Sequence, residues 1–207
     1  MRLLIGETLF WKHNPIGNQE WQLFCKEKVI ARISIPIRSP NASGDILGDE
    51  FLIEAVEPYK LRLKRCATNE PKDTYIIKRR NLNDEGERPT FKEWGRLGFG
   101  FGRDFNPTRL AVHDGGTYSI SCKEISNSDY SREFVISSLN PGDDGQTIGI
   151  TRQAKRRKDH CTFNIVQSQQ GDPSIALMAA ISFFMLIKVC LEENNFGLFD
   201  WSPFSGN

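Results

Sequence analysis

From the N-terminus to about residue 168 the chain keeps one rhythm, short apolar–polar runs broken by turn residues. Candidate strands cover residues 8–12, 21–26, 29–35, 51–56, 60–66 and 74–80, then 97–102, 109–113, 117–124, 132–139, 147–152 and 161–168. In Lys60-Leu61-Arg62-Leu63-Lys64 the period of two puts the cations on one strand face and the leucines on the other. The separators Ser39-Pro40-Asn41, Asp114-Gly115-Gly116 and Asn140-Pro141-Gly142-Asp143-Asp144-Gly145 carry turn chemistry. Residues 81–95 read as a polar loop with one helical turn after Thr90. About a dozen short strands at this spacing predict a sandwich or a barrel.

The rhythm breaks at Asp172-Pro173, a good N-cap followed by a residue suited to the first helical position. From Ile175 to Ile187 every position is apolar except Ser182, and Lys188 is expected in the last turn. Such a helix has no polar stripe, so lipid or protein must enclose it on all sides. A membrane span needs about 20 apolar residues. This run is shorter, Lys188 and Glu192-Glu193 close it, and no basic cluster adjoins its start, which favours a buried core helix. A closed barrel encloses a helix completely, eight strands being too few and about eleven wide enough. The alternating Gly98-Phe99-Gly100-Phe101-Gly102 fits a wall that another backbone approaches closely. The expected fold is therefore mainly β, a closed barrel of about twelve mostly antiparallel strands around a central hydrophobic C-terminal helix.

Length adds that the 207 residues form one domain, with a core at about 8–191 and an aromatic tail at 192–207. A net charge of +1 excludes a uniformly basic nucleic-acid coat, and 39% hydrophobic residues exclude a disordered chain. Five cysteines occur without a C-x-x-C pair, and His13, His113 and His160 lie far apart, so neither a zinc site nor any other metal or cofactor is expected. The first residues offer too short an apolar run for a signal peptide, which points to reduced thiols and a cytoplasmic chain.

Gln146-Thr147-Ile148-Gly149-Ile150-Thr151-Arg152, then Thr162-Phe163-Asn164-Ile165, then the apolar helix, resemble the end of the tubby, phospholipid-scramblase and LURP-one superfamily. The likeness spans residues 21–191 in order of elements. It implies a twelve-stranded barrel around the helix, and a lipid-associated role like that of the phosphoinositide-binding tubby domains. Lys60-x-Arg62 matches the alternating basic pattern of the tubby lipid site. Three features depart from it. Asp143-Asp144-Gly145 lacks the carboxylate spacing of a calcium loop, no cysteine-rich palmitoylation run is present, and sixteen residues follow the helix.

Twelve of the 27 basic residues fall in three short places despite the balanced total. Lys60, Arg62 and Lys64, with Arg65, form the first, and Lys78, Arg79 and Arg80 the second. The third is Arg152 with Lys155, Arg156, Arg157 and Lys158, read as a hairpin tip. Basic clusters attract anionic lipid headgroups, at about 1 kcal/mol per cation near the surface. Lysines also blunt exposed strand edges, and tip clusters suit nucleic-acid phosphates. Catalytic signals are sparse. His113-Asp114 lacks the further histidines of HD hydrolases, and no G-x-S-x-G elbow occurs. The sequence thus predicts a non-enzymatic module that recognises anionic, phosphoinositide-like lipid, cytoplasmic and peripheral to the membrane. Two alternatives stay open: an adaptor docking a protein through Phe199, Trp201 and Phe204 of its tail, and a nucleic-acid-binding regulator.

Overall fold

Alternation of apolar and polar residues builds the wall, and strand parity closes it. The computed structural model describes residues 5–13, 20–36, 39, 41–56, 73–81, 89–98, 108–113, 115–124, 130–143, 145–154, 161–166 and 172–195. They form β1 (Thr8–His13), β2 (Glu20–Cys25), β3 (Lys28–Ser34), β4 (Ala42–Ile46), β5 (Asp49–Ala55), β6 (Asp73–Arg80) and β7 (Phe91–Gly98). There follow β8 (Thr108–Val112), β9 (Gly116–Glu124), β10 (Tyr130–Ser138), β11 (Thr147–Ala154), β12 (Cys161–Ile165) and the helix α1 (Asp172–Asn195). Each strand pairs antiparallel with the next, and β12 pairs with β1 through Leu9↔Phe163 and Trp11↔Cys161. Because the strand number is even, an up-and-down chain returns running opposite to its first strand, and the ring closes without a crossover. The expected closed antiparallel barrel of twelve strands is the observed fold.

Trp21, Leu23 and Cys25 of β2 point inward and are buried, while their neighbours are half-buried. Where the sequence breaks period two, a bulge restores the phase. Leu23 faces Ala31 and Phe24 faces Val29, so Ile30 is the extra residue and joins Ala31 in the core. Ile148 does the same in β11, between the pairs Ser137↔Thr147 and Ile136↔Gly149.

The core is the helix. Every residue from Ile175 to Ile187 is at most 7% exposed. Phe183 stacks on Trp11 of β1 and meets Trp21 of β2 edge-on, Phe184 meets Tyr75 of β6, and Ser182 bonds Thr151 of β11. These strands are spread around the ring, so the helix is surrounded rather than laid on a sheet. The barrel consequently has an entry rim, where β12 ends and α1 begins, and an exit rim. Odd-numbered strands run from entry to exit and even-numbered strands return. Trp21 has only Glu20 beyond it toward the exit rim in β2, whereas the helix runs from Phe183 to Asn195, about 18 Å at 1.5 Å per residue. The helix therefore crosses the whole barrel and emerges from the exit rim.

Two expectations are corrected, one strand was not anticipated, and one expected strand lies outside the described residues. β4 is a strand that the alternation does not announce, because Ala42-Ser43-Gly44-Asp45-Ile46 has only small residues and one isoleucine to turn inward. Phe51 supplies the missing bulk by lying over Gly44, its cross-strand partner. β5 pairs directly with β6, so the ring closes without the expected strand at 60–66, which lies outside the described residues. β7 begins at Phe91 where a helical turn was expected, since a bulge at Trp94 disrupts its alternation. Finally, the helix continues to Asn195, so Lys188 is not in its last turn, which holds no basic residue. Of the Gly-Phe run only Gly98, buried at the end of β7, is described. No helix among the described residues is long and apolar enough to cross a membrane.

Candidate functional site

Antiparallel pairing of neighbouring strands sets the charges of the wall. β5 opens with Asp49 and Glu50, and β6 closes with Lys78, Arg79 and Arg80, so the two ends lie side by side. Arg79 reaches Asp49 at 3.5 Å and Arg80 reaches Glu50 at 3.4 Å. Lys78 pairs with Glu54. Arg152 donates to Glu133 of the adjacent β10 at 2.8 Å. Each of the expected anion-binding arginines that is described thus already faces a carboxylate. The structure does not bring them together either: Arg79 and Arg80 sit at the entry rim, while Arg152 sits toward the exit rim, five strands round the ring. The acidic partners were legible in principle, since acids opening one strand and bases closing the next must meet in a hairpin.

Lys60, Arg62, Lys64, Lys155, Arg156, Arg157 and Lys158 lie outside the described residues, as do Phe199, Trp201 and Phe204. Their anchors are described. The chain leaves β5 at Ala55 and re-enters β6 at Asp73 on the exit rim, and it leaves β11 at Ala154 and re-enters β12 at Cys161 on that same rim. Sorting every strand connection by rim reveals a segregation hidden in the net charge. The exit-rim connections carry eleven basic and five acidic residues, and the entry-rim connections carry two basic and seven acidic.

Other polar side chains among the described residues pair along the wall. Glu93 accepts from Arg96 Nε at 2.7 Å and holds His113 Nε2 at 2.9 Å, and these two contacts, Arg96 first, keep its carboxyl below the usual carboxylate range. His113, the histidine of the enzyme reading, is thereby engaged on the outer face, 56% exposed; Asp114 and His160 lie outside the described residues. Burial, reinforced by the Glu7 carboxylate, pushes the Cys25 thiol up, so it is the protonated thiol that donates to Glu7. Cys161 is buried, and Cys122 is half-buried against Phe134 of β10. Among the described residues no group of three His, Cys, Asp or Glu side chains could hold a metal ion. Trp11 Nε1 is buried without a hydrogen-bond partner among them.

No protein-family model matches this chain, and no curated protein or solved structure matches it either.

Proposed function

We propose that the chain is a non-enzymatic binding module that takes anionic, phosphoinositide-like membrane lipid at the exit rim of its barrel. The observation that carries the reading is the segregation of charge along the barrel axis. Two of the three basic clusters, Lys60-Arg62-Lys64 and Lys155 to Lys158, belong to connections that begin and end on the exit rim. Arg79 and Arg80 face Asp49 and Glu50 on the entry rim, and their charge is spent locally. A field of one sign at one end orients a peripheral protein on an anionic bilayer before any specific contact forms. Membership of the tubby-like superfamily is part of the same proposal, resting on the order of strands and helix and on the glycine-containing strand β11.

Liposome sedimentation tests it. Replacing Lys60, Arg62 and Lys64 by alanine removes about 1 kcal/mol each near the surface, so binding to phosphoinositide liposomes should fall by roughly 100-fold. Alanine at Arg79 and Arg80 should leave binding within about twofold, because those charges are compensated. Equal loss from both variants, or equal binding to zwitterionic liposomes, would overturn the reading. Preference for RNA or DNA over liposomes would establish the nucleic-acid alternative instead.

A further inference from the structure

An apolar band crosses the outer wall at the seam where β1 meets β12. Strand parity turns Phe24, Phe10, Thr162, Asn164, Ile150 and Val135 outward, since their strand neighbours fill the core. Register sets Phe24 beside Phe10, Phe10 beside Thr162, Asn164 beside Ile150, and Ile150 beside Val135. The four apolar side chains are half-buried, and Thr162 is only 7% exposed. Elsewhere on the wall the outward positions Ser43, Arg109 and Ala111 are exposed. Arg152, across from Thr162, leans the other way to reach Glu133. Asn164 Oδ1 is buried without a hydrogen-bond partner among the described residues. An outward polar side chain meets water unless something lies over it.

We propose that residues 196–207, outside the described residues, fold down over the exit rim and lie on this band, with Trp201 and Phe204 against Phe10 and Phe24. Starting point and reach single out this occupant. The segment begins where α1 ends, at Asn195, beyond the exit rim. The helix end stands roughly 15 Å past that rim, and the outer face of a twelve-stranded ring lies about 15 Å from the axis. Thr162 is the second residue of β12 from that rim, so the straight path from Asn195 is roughly 20–25 Å. At about 3.4 Å per residue, Trp201 reaches about 20 Å and Phe204 about 30 Å, which brackets the path. Composition agrees. Phe196, Leu198, Phe199, Trp201 and Phe204 are apolar, whereas residues 155–160, next to β12, are Lys-Arg-Arg-Lys-Asp-His. The Trp201 indole is a donor only and suits the Asn164 acceptor. The contact clamps the one closure that no connection supports. Every other pair joins strands consecutive in the chain, while β1 and β12 pair across nearly the whole sequence, at the largest loop-closure entropy. The tail is thus a strap of its own barrel rather than a docking peptide for another protein, and this holds whether or not the barrel binds lipid.

Acrylamide quenching of Trp201 in the full chain tests it, with Trp201 isolated as the difference between the unaltered protein and Trp201→Phe. The expected quenching is several-fold weaker than that of a synthetic peptide of residues 196–207. Phe10→Ser should raise it toward the peptide's value, whereas Ile76→Ser, at an outward position on the opposite wall, should not. In the full chain, Trp201→Ser with Phe204→Ser should speed amide exchange about tenfold in β1 and β12 and leave β5 and β6 unchanged. Trp201 quenched as freely as in the peptide would sink the proposal and return the tail to a protein partner. Protection that survives Phe10→Ser, an equal response to Ile76→Ser, or exchange that rises alike in every strand would overturn it too, by removing the seam as the place where the tail lies.

Discussion

Ser182 is the single polar residue in the enclosed run, and the structure shows what it does there. Its hydroxyl donates to the carbonyl of Ala179 at 3.0 Å. With that proton committed, the 2.6 Å contact to Thr151 Oγ1 must be a bond donated by Thr151 to Ser182. Both residues are 0% exposed, so no water replaces either partner. Ser182→Ala leaves the Thr151 donor unpaired in the core and should cost about 1–3 kcal/mol. Thr151→Val removes the donor but leaves Ser182 bonded to Ala179, so its cost should be nearer about 1 kcal/mol. The double variant Ser182→Ala, Thr151→Val has no orphaned hydroxyl, and replacing both partners by apolar groups of like shape is close to neutral. The order expected in urea unfolding is therefore Ser182→Ala least stable, with the double variant recovering at least half of that loss. A double variant whose loss equals the sum of the singles would refute the pairing, and with it the register of helix against wall.

Other variants probe the wall, the core and the surface. A Cβ at Gly149 would meet the Phe163 ring at 2.3 Å, so Gly149→Ala should destabilise by about 1–3 kcal/mol, and Phe163→Leu should restore most of it; the same rescue should fail at Gly44, where Phe51→Leu still leaves the Arg32 carbonyl oxygen in the way, as unfolding of both pairs will reveal. Phe183→Asp buries a charge between Trp11 and Trp21 and should cost several kcal/mol, about 4 or more, read as loss of the cooperative thermal transition. Glu93 has a depressed folded-state pKa, so its pairing stabilises above its ordinary value of 4.5 and is lost as pH falls through the lower folded value; Glu93→Gln should flatten the pH dependence of the melting temperature below about 4.5 and nowhere else.

Local chemistry decided much of this protein. A thirteen-residue apolar run interrupted only by Ser182 has one stable environment, full enclosure, and many short alternating strands can supply it only by closing into a ring. That inference needs no knowledge of which strand pairs with which. It failed where period two is broken or masked: at β4, whose inward glycine is completed by an aromatic ring from β5, and at β7, where a bulge at Trp94 shifts the phase. In both, the burial that defines the strand comes from a neighbouring chain segment, and no local pattern records it. Charge was the larger gap. The sequence shows three basic clusters of similar appearance, yet Arg79 and Arg80 close a strand beside Asp49 and Glu50, whereas the connections that carry the other two start and end on the opposite rim. Which rim a connection reaches depends on how many strands precede it, and which cation is compensated depends on what stands across a hydrogen-bonded pair. Both are properties of the closed ring, because Coulomb interactions follow distance in space and the chain order holds that distance only after the strands have paired.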